Sequence, residues 1–411
     1  MPEYHDALET REPEERERAL IAALPSHIAH AKKYAPGWER ILAGVDAAAV
    51  TSRAALAKLP VTRKSDLTGL QKSERPLGGL NALPIRKLGK LFASPGPIYD
   101  PEGRGRDWWR LSRALFAAGF RPGDVALNTF SYHFTPAGSM LESGALALGC
   151  TVVPGGVGQT EMQVAAIVDL GVNAYIGTPS FLNLIVEKAD ELKADITSLK
   201  KAAVGAEYLP PALRAAMGER GIHVTQSYAS ADLGLIAYES EALDGMILEE
   251  ALILEIVRPG TAEPVHEGEV GEVVITSFNP DYPLIRFGTG DLSAVLPGIS
   301  PCGRTNTRIR GWMGRADQTT KVKGLFVHPS QVAEVVKRHR EIAKARLIVD
   351  NPGGADRMTL HCEVAAGSDA LKAAIETSLR EITKLRGEVA FRKPGELPND
   401  GKVIEDAKKY E

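Results

Sequence analysis

The sequence predicts an α/β fold in two domains: a large N-terminal domain built on mostly parallel sheets, and a small α+β domain at the C-terminal end. Two observations support this prediction. Through the middle of the chain, short apolar strands alternate with amphipathic helices, which is typical of a parallel sheet covered on both faces. Near residue 314 the order of strands and helices changes, and we expect a large domain over residues 1–316 and a separate small domain of about 95 residues over 317–411. A chain of 411 residues is also long for a single core.

The first part of the chain is predicted to be a helical cap, over residues 1–60. Leu20, Ile21, Leu24 and Ile28 recur at helical spacing there. This cap is expected to cover part of the large domain.

Helix and strand then alternate. A helix is expected over 106–119, closed by Gly119, and a buried strand at 125–127. Further along, Thr178 has the side chain of an N-cap and is followed by Pro179, which suits the first helical position. The remaining units predicted on this pattern are a helix at 161–170, strands at 174–177, 202–205 and 222–225, and a helix at 211–221. Ligands of such sheets bind at the C-terminal ends of the strands, so the loops there are where a site is expected.

The pattern changes twice more. Between residues 246 and 278, the runs LILEIV and GEVVITS are broken by PG and EGEVGE, which indicates a strand-rich subdomain of the large domain. Beyond residue 314 the order is strand, helix, two strands, helix and strand, which resembles a ferredoxin-like split βαβ unit. Leu371, Ile375, Leu379 and Ile382 line one face of its second helix.

Composition excludes several functional classes. A net charge of -3 provides no basic excess for nucleic acid. Neither the charged N-terminal segment nor the apolar run at 137–153 has the pattern of a signal peptide or a membrane span, so export and membrane insertion are not expected. Cys150, Cys302 and Cys362 are too widely spaced for a disulfide framework or a paired-thiol zinc site, which favours a reducing, cytoplasmic compartment. A homodimer stays open.

Three turn-rich segments each carry an acid: QSYASADLG with Asp232, LIRFGTGDL with Asp291 and MGRADQTTKVKG with Asp317. A carboxylate in a glycine-rich turn can accept both hydroxyls of a ribose diol. Lys402, in PNDGKVIED, places a long cationic side chain on a turn, from which it could reach a developing phosphoryl charge. From these residues alone, a capped surface turn and a solvated lysine are the favoured interpretations.

The order and spacing of these motifs resemble the phenylacetate-CoA ligase branch of the acyl-adenylate-forming enzymes. The resemblance runs from about Arg106 to the C-terminal end, and the block from Cys302 to Val335 is its most specific part. It implies a two-domain enzyme that uses ATP, Mg²⁺ and coenzyme A to convert a carboxylic acid first to an acyl-adenylate and then to a thioester.

The resemblance also implies roles for individual residues. Asp291 would bind the ribose hydroxyls and Asp232 would hold Mg²⁺, with Gly288 standing where the family usually has an arginine. The residues expected along the adenine are Gly205, Ala206 and Glu207, which are consecutive, and Tyr228.

The C-terminal motifs carry the second set of implied roles. The chain would turn about a hinge at Asp317, with Arg315 near the ribose or phosphate. Gly324 would let the thiol of CoA pass, and Lys402 would act in adenylation.

The segment expected to bind phosphate departs from the family pattern. It reads LFASPGPIYDPEG, in which Pro95 and Pro97 each remove an N–H donor that a phosphate-binding loop needs. Arg104 or Arg106 would then have to contact the phosphates, or the protein binds an adenylate without making it efficiently.

The segment SYHFTPAG and the strand and helix after it supply the candidate acid pocket. An apolar slot for an aromatic ring would be lined by Tyr132, Phe134, Gly138, Ile176 and Phe181. The alternative is that these residues belong to the core of the sheet and its helices.

The leading hypothesis is therefore an ATP-dependent acid-CoA ligase for a phenylacetate-like acid. Two alternatives stay open: a catalytically impaired relative that binds AMP or acyl-CoA, and an adenylating enzyme whose acceptor is an amine or a carrier-protein thiol. The presence of Lys402, Asp291 and the block from Cys302 to Val335, which contains the hinge residue Asp317, favours a catalytically active enzyme over an impaired relative.

Overall fold

The computed structural model describes the chain except for residues 1–2, 95–96, 259–260, 314, 317, 319, 324, 328, 353–354, 399–401 and 410–411. The chain divides into two compact units, residues 1–313 and 314–411. Asp317 lies outside the described residues, so the hinge at this position stays a prediction.

The first unit carries most of the helices and strands. Its helices are α1 (Pro13–Tyr34), α2 (Pro36–Ile41), α3 (Arg53–Leu56), α4 (Leu67–Ser73), α5 (Leu111–Ala117), α6 (Ala137–Leu148), α7 (Thr160–Leu170), α8 (Pro179–Leu192) and α9 (Pro211–Glu219). Its strands are β1 (Thr62–Arg63), β2 (Lys90–Ser94), β3 (Ile98–Glu102), β4 (Val125–Asn128), β5 (Thr151–Pro154), β6 (Ala174–Gly177), β7 (Lys201–Val204), β8 (His223–Ser230), β9 (Gly234–Tyr238), β10 (Met246–Leu248), β11 (Leu252–Val257), β12 (Gly271–Ser277), β13 (Leu284–Ser293), β14 (Val295–Leu296) and β15 (Arg308–Ile309).

The main sheet of this unit has the order β14-β15-β10-β9-β8-β7-β6-β4-β5. Strands β5, β4, β6, β7 and β8 run parallel to their neighbours, and the strands beyond β8 pair antiparallel. Neighbouring residues of β6 face opposite sides: Ile176 packs in the cluster that includes α5 and α6, whereas Tyr175 packs with α7 and α8. The predicted parallel sheet with helices on both faces is confirmed.

Helix α5 begins later than predicted. The sequence predicted a helix from residue 106, but the carboxylate of Asp107 accepts hydrogen bonds from the N–H groups of Leu111 and Ser112, at 2.8 and 3.0 Å. Arg110 has a left-handed φ of 65°, which a helix cannot contain. Trp108 therefore lies outside the helix. By contrast, Thr178 caps α8 as predicted.

A second sheet has the strand order β1-β13-β12-β11, and its strand β13 carries Asp291 of the candidate site. Strand β1 runs parallel to β13, with Thr62 opposite Phe287 and Arg63 opposite Gly288. Helix α1 packs its apolar face on this sheet. A short antiparallel hairpin is formed by β2 and β3.

The second unit has its own core. Its elements are β16 (Thr320–Val322), β17 (Leu325–Val327), α10 (Pro329–Arg338), β18 (Ile342–Asp350), β19 (Arg357–Val364), α11 (Asp369–Thr383), β20 (Glu388–Arg392) and β21 (Ile404–Asp406). Its larger sheet has the order β20-β19-β18-β21. Ile375 and Leu379 of α11 are fully buried in this core, with Leu371 and Ile382 at its margin, as the helical spacing predicted. The predicted α+β class of this unit is confirmed.

Cys150, Cys302 and Cys362 are free thiols, and all three are buried. Among the described residues, no helix combines the length and the apolar character that crossing a membrane requires.

Candidate nucleotide site

The residues predicted to border an adenine ring lie at the C-terminal end of β7. Gly205 follows the strand directly and is buried, whereas Ala206 and Glu207 are exposed. A Cβ atom on Gly205 would come 3.2 Å from the carbonyl oxygen of Ser227, so this stretch lies closely against β8. Tyr228 is the next residue of β8, and the structure therefore brings the predicted adenine residues together.

Tyr228 and Asp291 are joined across the two sheets. The Tyr228 hydroxyl donates to Oδ2 of Asp291 at 2.8 Å and also lies 3.2 Å from the hydroxyl of Thr289. The indole N–H of Trp312 donates to Oδ1 of Asp291 at 3.1 Å. These bonds orient the carboxylate of Asp291.

Lys64 was not among the residues singled out from the sequence, yet it is bound to one of them. Its ammonium group lies 2.6 Å from Oδ2 of Asp232. The side chain of Asp232 is completely buried, whereas that of Lys64 is one-quarter exposed. The two residues are 168 positions apart, and no local sequence pattern connects them.

Further buried acidic groups surround this ion pair. Burial, and then the negative charge of Asp232, raise the pKa of Asp100 well above its ordinary value, while the charge of Lys64 opposes the rise. Burial lowers the pKa of Lys64, but the charges of Asp232, Asp100 and Asp291 outweigh it, and the net shift is upward. Lys64 is therefore an ammonium ion near neutral pH.

The donor set does not fit Mg²⁺ held by the protein. The ion requires near-octahedral oxygen ligands at about 2.0–2.1 Å and usually keeps several waters. Asp232 has no exposed side-chain surface on which such a hydrated ion could sit, and its Oδ2 is already bound to an ammonium group. Nor does the described part of the chain contain a group of three or more His, Cys, Asp or Glu side chains arranged to hold a metal ion. The role of Asp232 as a Mg²⁺ ligand stays a prediction that this geometry does not favour.

The segment expected to bind phosphate is the turn between β2 and β3. Residues 95–96 lie outside the described part of the chain, and Ser94 donates its hydroxyl to the carbonyl of Ile98 at 3.4 Å. The guanidinium groups of Arg104 and Arg106 donate to backbone carbonyls of the neighbouring loop and of α6. Both arginines are thus bonded to other parts of the described chain.

Gly288 has a structural reason to lack a side chain. A Cβ atom there would lie 2.7 Å from Oε1 of Glu272 and 3.1 Å from Cγ of Arg63. Arg63 donates to Glu272 at 3.2 Å. The arginine that the family usually has at position 288 is absent, and the side chain of Arg63, from the adjacent strand, lies beside the glycine.

Two of the five acid-pocket candidates are neighbours. A Cβ atom on Gly138 would lie 3.1 Å from the ring of Tyr132. Asn128 donates one N–H to the hydroxyl of Tyr132 at 2.9 Å and one to the carbonyl of Gly138 at 2.8 Å. This amide fixes the two residues at the end of β4.

The other three candidates are distributed differently. Phe134 is 81% exposed, Ile176 is completely buried, and Phe181 packs on the opposite face of the sheet from Ile176. The described contacts do not assemble the five residues into one slot, and the pocket stays a prediction.

The remaining predicted residues belong to the second unit. Asp317 and Gly324 lie outside the described residues, and the roles assigned to them stay predictions. Arg315 is half-buried, and Lys402 is exposed just before β21.

Gln318 links the beginning of this unit to its end. Its side-chain oxygen accepts hydrogen bonds from the backbone N–H groups of Val403 and Ile404, at 2.5 and 3.0 Å. The segment that follows the predicted hinge is thus tied to the segment that carries Lys402.

Comparison with known proteins defines the class of this enzyme. A model of the family described as AMP-binding enzyme matches residues 107–279, which include β4 to β12 of the first unit. This range contains Tyr228 and Asp232.

More extended similarity comes from curated relatives. A phenylacetate-coenzyme A ligase from Thermus thermophilus is 32% identical over 381 residues, covering 88% of this chain and 84% of the relative. Its counterpart from Escherichia coli K12 is 30% identical, covering 88% and 86%. The chain belongs to the phenylacetate-coenzyme A ligase family, as the motifs indicated, and it is an acid–thiol ligase.

Solved structures confirm the fold. A 2-hydroxyisobutyryl-CoA ligase, crystallised with its acyl-AMP and CoA, superposes with a TM-score of 0.76 over 98% of this chain and 92% of that one, at 22% identity. The same ligase with the acyl-AMP alone, in its postadenylation state, superposes with a TM-score of 0.72.

Proposed function

We propose that the protein activates an aromatic carboxylic acid of the phenylacetate type with ATP and transfers the acyl group to coenzyme A. The observation that supports the nucleotide half is the hydrogen-bonded pair of Tyr228 and Asp291, beside the stretch that begins at Gly205. The acid and the acceptor thiol are proposed from the relatives that carry the name phenylacetate-coenzyme A ligase. The reaction would take place in the cytoplasm, where ATP and CoA are available.

In the first step, a carboxylate oxygen of the acid attacks the α-phosphorus of ATP. An O–P bond forms as the bond from this phosphorus to the pyrophosphate oxygen breaks. Asp291 would accept the ribose hydroxyls, and the ring of Tyr228 would lie along the adenine. The ammonium group of Lys402 would stabilise the negative charge that develops on the transferred group.

In the second step, the thiol of CoA loses its proton, attacks the acyl carbon, and expels AMP. The proposal includes a rotation of the second unit about Asp317, which would withdraw Lys402 and bring Gly324 to the path of the thiol. Because Gln318 ties the start of this unit to Val403 and Ile404, Lys402 would move with the unit as one body.

The test is the CoA-dependent release of AMP and pyrophosphate with a panel of aromatic and aliphatic acids. Phenylacetate or a substituted arylacetate is expected to give the highest kcat/KM. Lys402→Ala should reduce adenylate formation, trapped with hydroxylamine, by about 100-fold or more. Lys409→Ala, which removes another exposed positive charge near the same end of the chain, should have little effect.

Two results would contradict the proposal. Tight binding of AMP without turnover of any acid would favour an impaired relative, the alternative that Pro95 and Pro97 suggest. Adenylate formation without thioester formation would point to a different acceptor.

A further inference from the structure

The ion pair between Lys64 and Asp232 connects the four-stranded sheet of the first unit to its nine-stranded main sheet. Lys64 begins a short 3-10 turn, Lys64–Asp66, directly after β1. Strand β1 pairs with β13, which carries Asp291, whereas Asp232 lies in the loop between β8 and β9. The ammonium group therefore holds the loop after Tyr228 against the strand that presents Asp291.

The acidic groups around Lys64 are otherwise poorly satisfied. Asp100 is completely buried, and among the described residues neither of its oxygens makes a hydrogen bond of ordinary geometry, although Ser94 and Asp232 lie close enough to influence its pKa. Within the same part of the chain, such a bond is also missing from Oδ1 of Asp232 and from the hydroxyl of Tyr282, which is 2% exposed. Buried carboxylates without donors are strongly destabilising unless a cation balances them.

A divalent ion and an ammonium ion would satisfy these groups differently. Mg²⁺ would need several oxygen ligands or waters around it, and the buried face of Asp232 provides no space for that shell. The ammonium group of a lysine is carried into the site by the lysine side chain, and its three N–H donors can serve several acceptors without bound water.

We propose that the ammonium group of Lys64, and not a metal ion held by Asp232, is the resident cation of the nucleotide site. Lys64 acts as a positioning residue: it neutralises the buried acidic cluster and fixes the distance between Tyr228 and Asp291. The inference relies on the proposed function only in treating this site as the one that binds the nucleotide.

The test uses Mn²⁺ as a probe, because its free ion is counted directly by electron paramagnetic resonance. The wild-type protein without nucleotide should leave the free Mn²⁺ signal unchanged. Lys64→Ser should expose the carboxylates and take up about one Mn²⁺ per chain, and the double variant Lys64→Ser, Asp232→Asn should lose this uptake. Lys72→Ser, which removes an exposed lysine of α4, is the matched control and should behave as wild type.

A second readout tests the positioning role. Lys64→Ser should weaken AMP binding by about tenfold, since the ion pair no longer fixes the loop, and Lys64→Arg should restore affinity to within about threefold of wild type because it keeps the positive charge. Should Lys64→Ser fail to fold, the measurements on the wild type, Asp232→Asn and Lys64→Arg still decide the question.

Two outcomes would overturn the inference. One is stoichiometric Mn²⁺ binding by the wild type that Asp232→Asn abolishes, which would make Asp232 a metal ligand. The other is a folded Lys64→Ser variant that takes up no Mn²⁺. Neither measurement requires turnover, so failure of the proposed ligase reaction would be seen separately, as normal cation behaviour without thioester formation.

Discussion

The candidate nucleotide site and the candidate acid pocket were both predicted from short motifs, but the structure brings together the residues of the first and not those of the second. Tyr228 and Asp291, 63 residues apart, meet in a hydrogen bond of 2.8 Å. The acid-pocket candidates are spread over an exposed loop, the core and both faces of the main sheet, as Phe134, Ile176 and Phe181 illustrate.

The difference lies in what each type of residue reveals. A polar side chain at the end of a buried strand must find a partner, so its position in a motif restricts where it can lie. An apolar side chain satisfies either a core or a ligand pocket equally well, and its residue type does not distinguish between them. Polar motifs are therefore the more informative part of this sequence.

The largest effect is expected for Asp291→Ala. Two hydrogen bonds from ribose hydroxyls to a charged acceptor contribute about 3 kcal/mol together, which corresponds to an increase of about 100-fold in the KM for ATP. Steady-state kinetics at saturating acid and CoA would measure it. Asp291→Asn, which keeps one acceptor oxygen, should have a smaller effect, and an unchanged KM in both variants would place the ribose elsewhere.

A buried polar group without full partners should respond to pH. Burial, with a smaller contribution from the charge of His30, lowers the pKa of His27 to about 4, although a bond to the backbone of Ser277 opposes this. The folded protein thus keeps the His27 ring neutral, whereas the unfolded chain takes up a proton below pH 6.5. The free energy of unfolding therefore decreases as the pH falls from 6.5 towards 4. At pH 5.5 the loss is about 1.4 kcal/mol relative to pH 7.5.

Urea denaturation at these two pH values would detect the contribution of His27. His27→Leu should reduce the difference between them by about 1.4 kcal/mol. His223→Gln, at an exposed position, should leave the difference as it is in the wild type. An equal pH response in wild type and His27→Leu would contradict the assignment.

Tyr228→Phe should have a moderate effect. It removes one hydrogen bond, worth about 1 kcal/mol, and leaves the ring beside the adenine, so the KM for ATP should rise about fivefold. Tyr228→Ala, which also removes the ring, should be clearly worse. If the phenylalanine variant were as impaired as Asp291→Ala, the hydroxyl would have a direct role with the nucleotide.

The smallest effect is expected for Phe134→Ala. Its side chain is 81% exposed, so its removal should change kcat/KM for an aromatic acid by less than about twofold. A loss of tenfold or more, measured with phenylacetate, would mean that this loop closes on the acid and would remove the contrast between the two regions.

Local patterns in the sequence predicted most elements of the fold. Thr178 and Pro179 begin α8 as expected, and the apolar spacing of α11 describes its buried face. The start of α5 was predicted incorrectly, because apolar spacing did not reveal that Asp107 caps a helix four residues further on or that Arg110 is left-handed.

The sequence by itself determined the fold class, the order of strands and helices and the family, because each depends on local spacing and on motifs of a few residues. Only the tertiary structure decided that Lys64 lies on Asp232 and that Arg63 lies beside Gly288. Arg63 lies in the two-residue strand β1 and Lys64 follows it directly, and this short segment carries almost no sequence signal of its own. The pairing of β1 with β13 is a long-range event, and it is this pairing that brings the cation to the buried carboxylates.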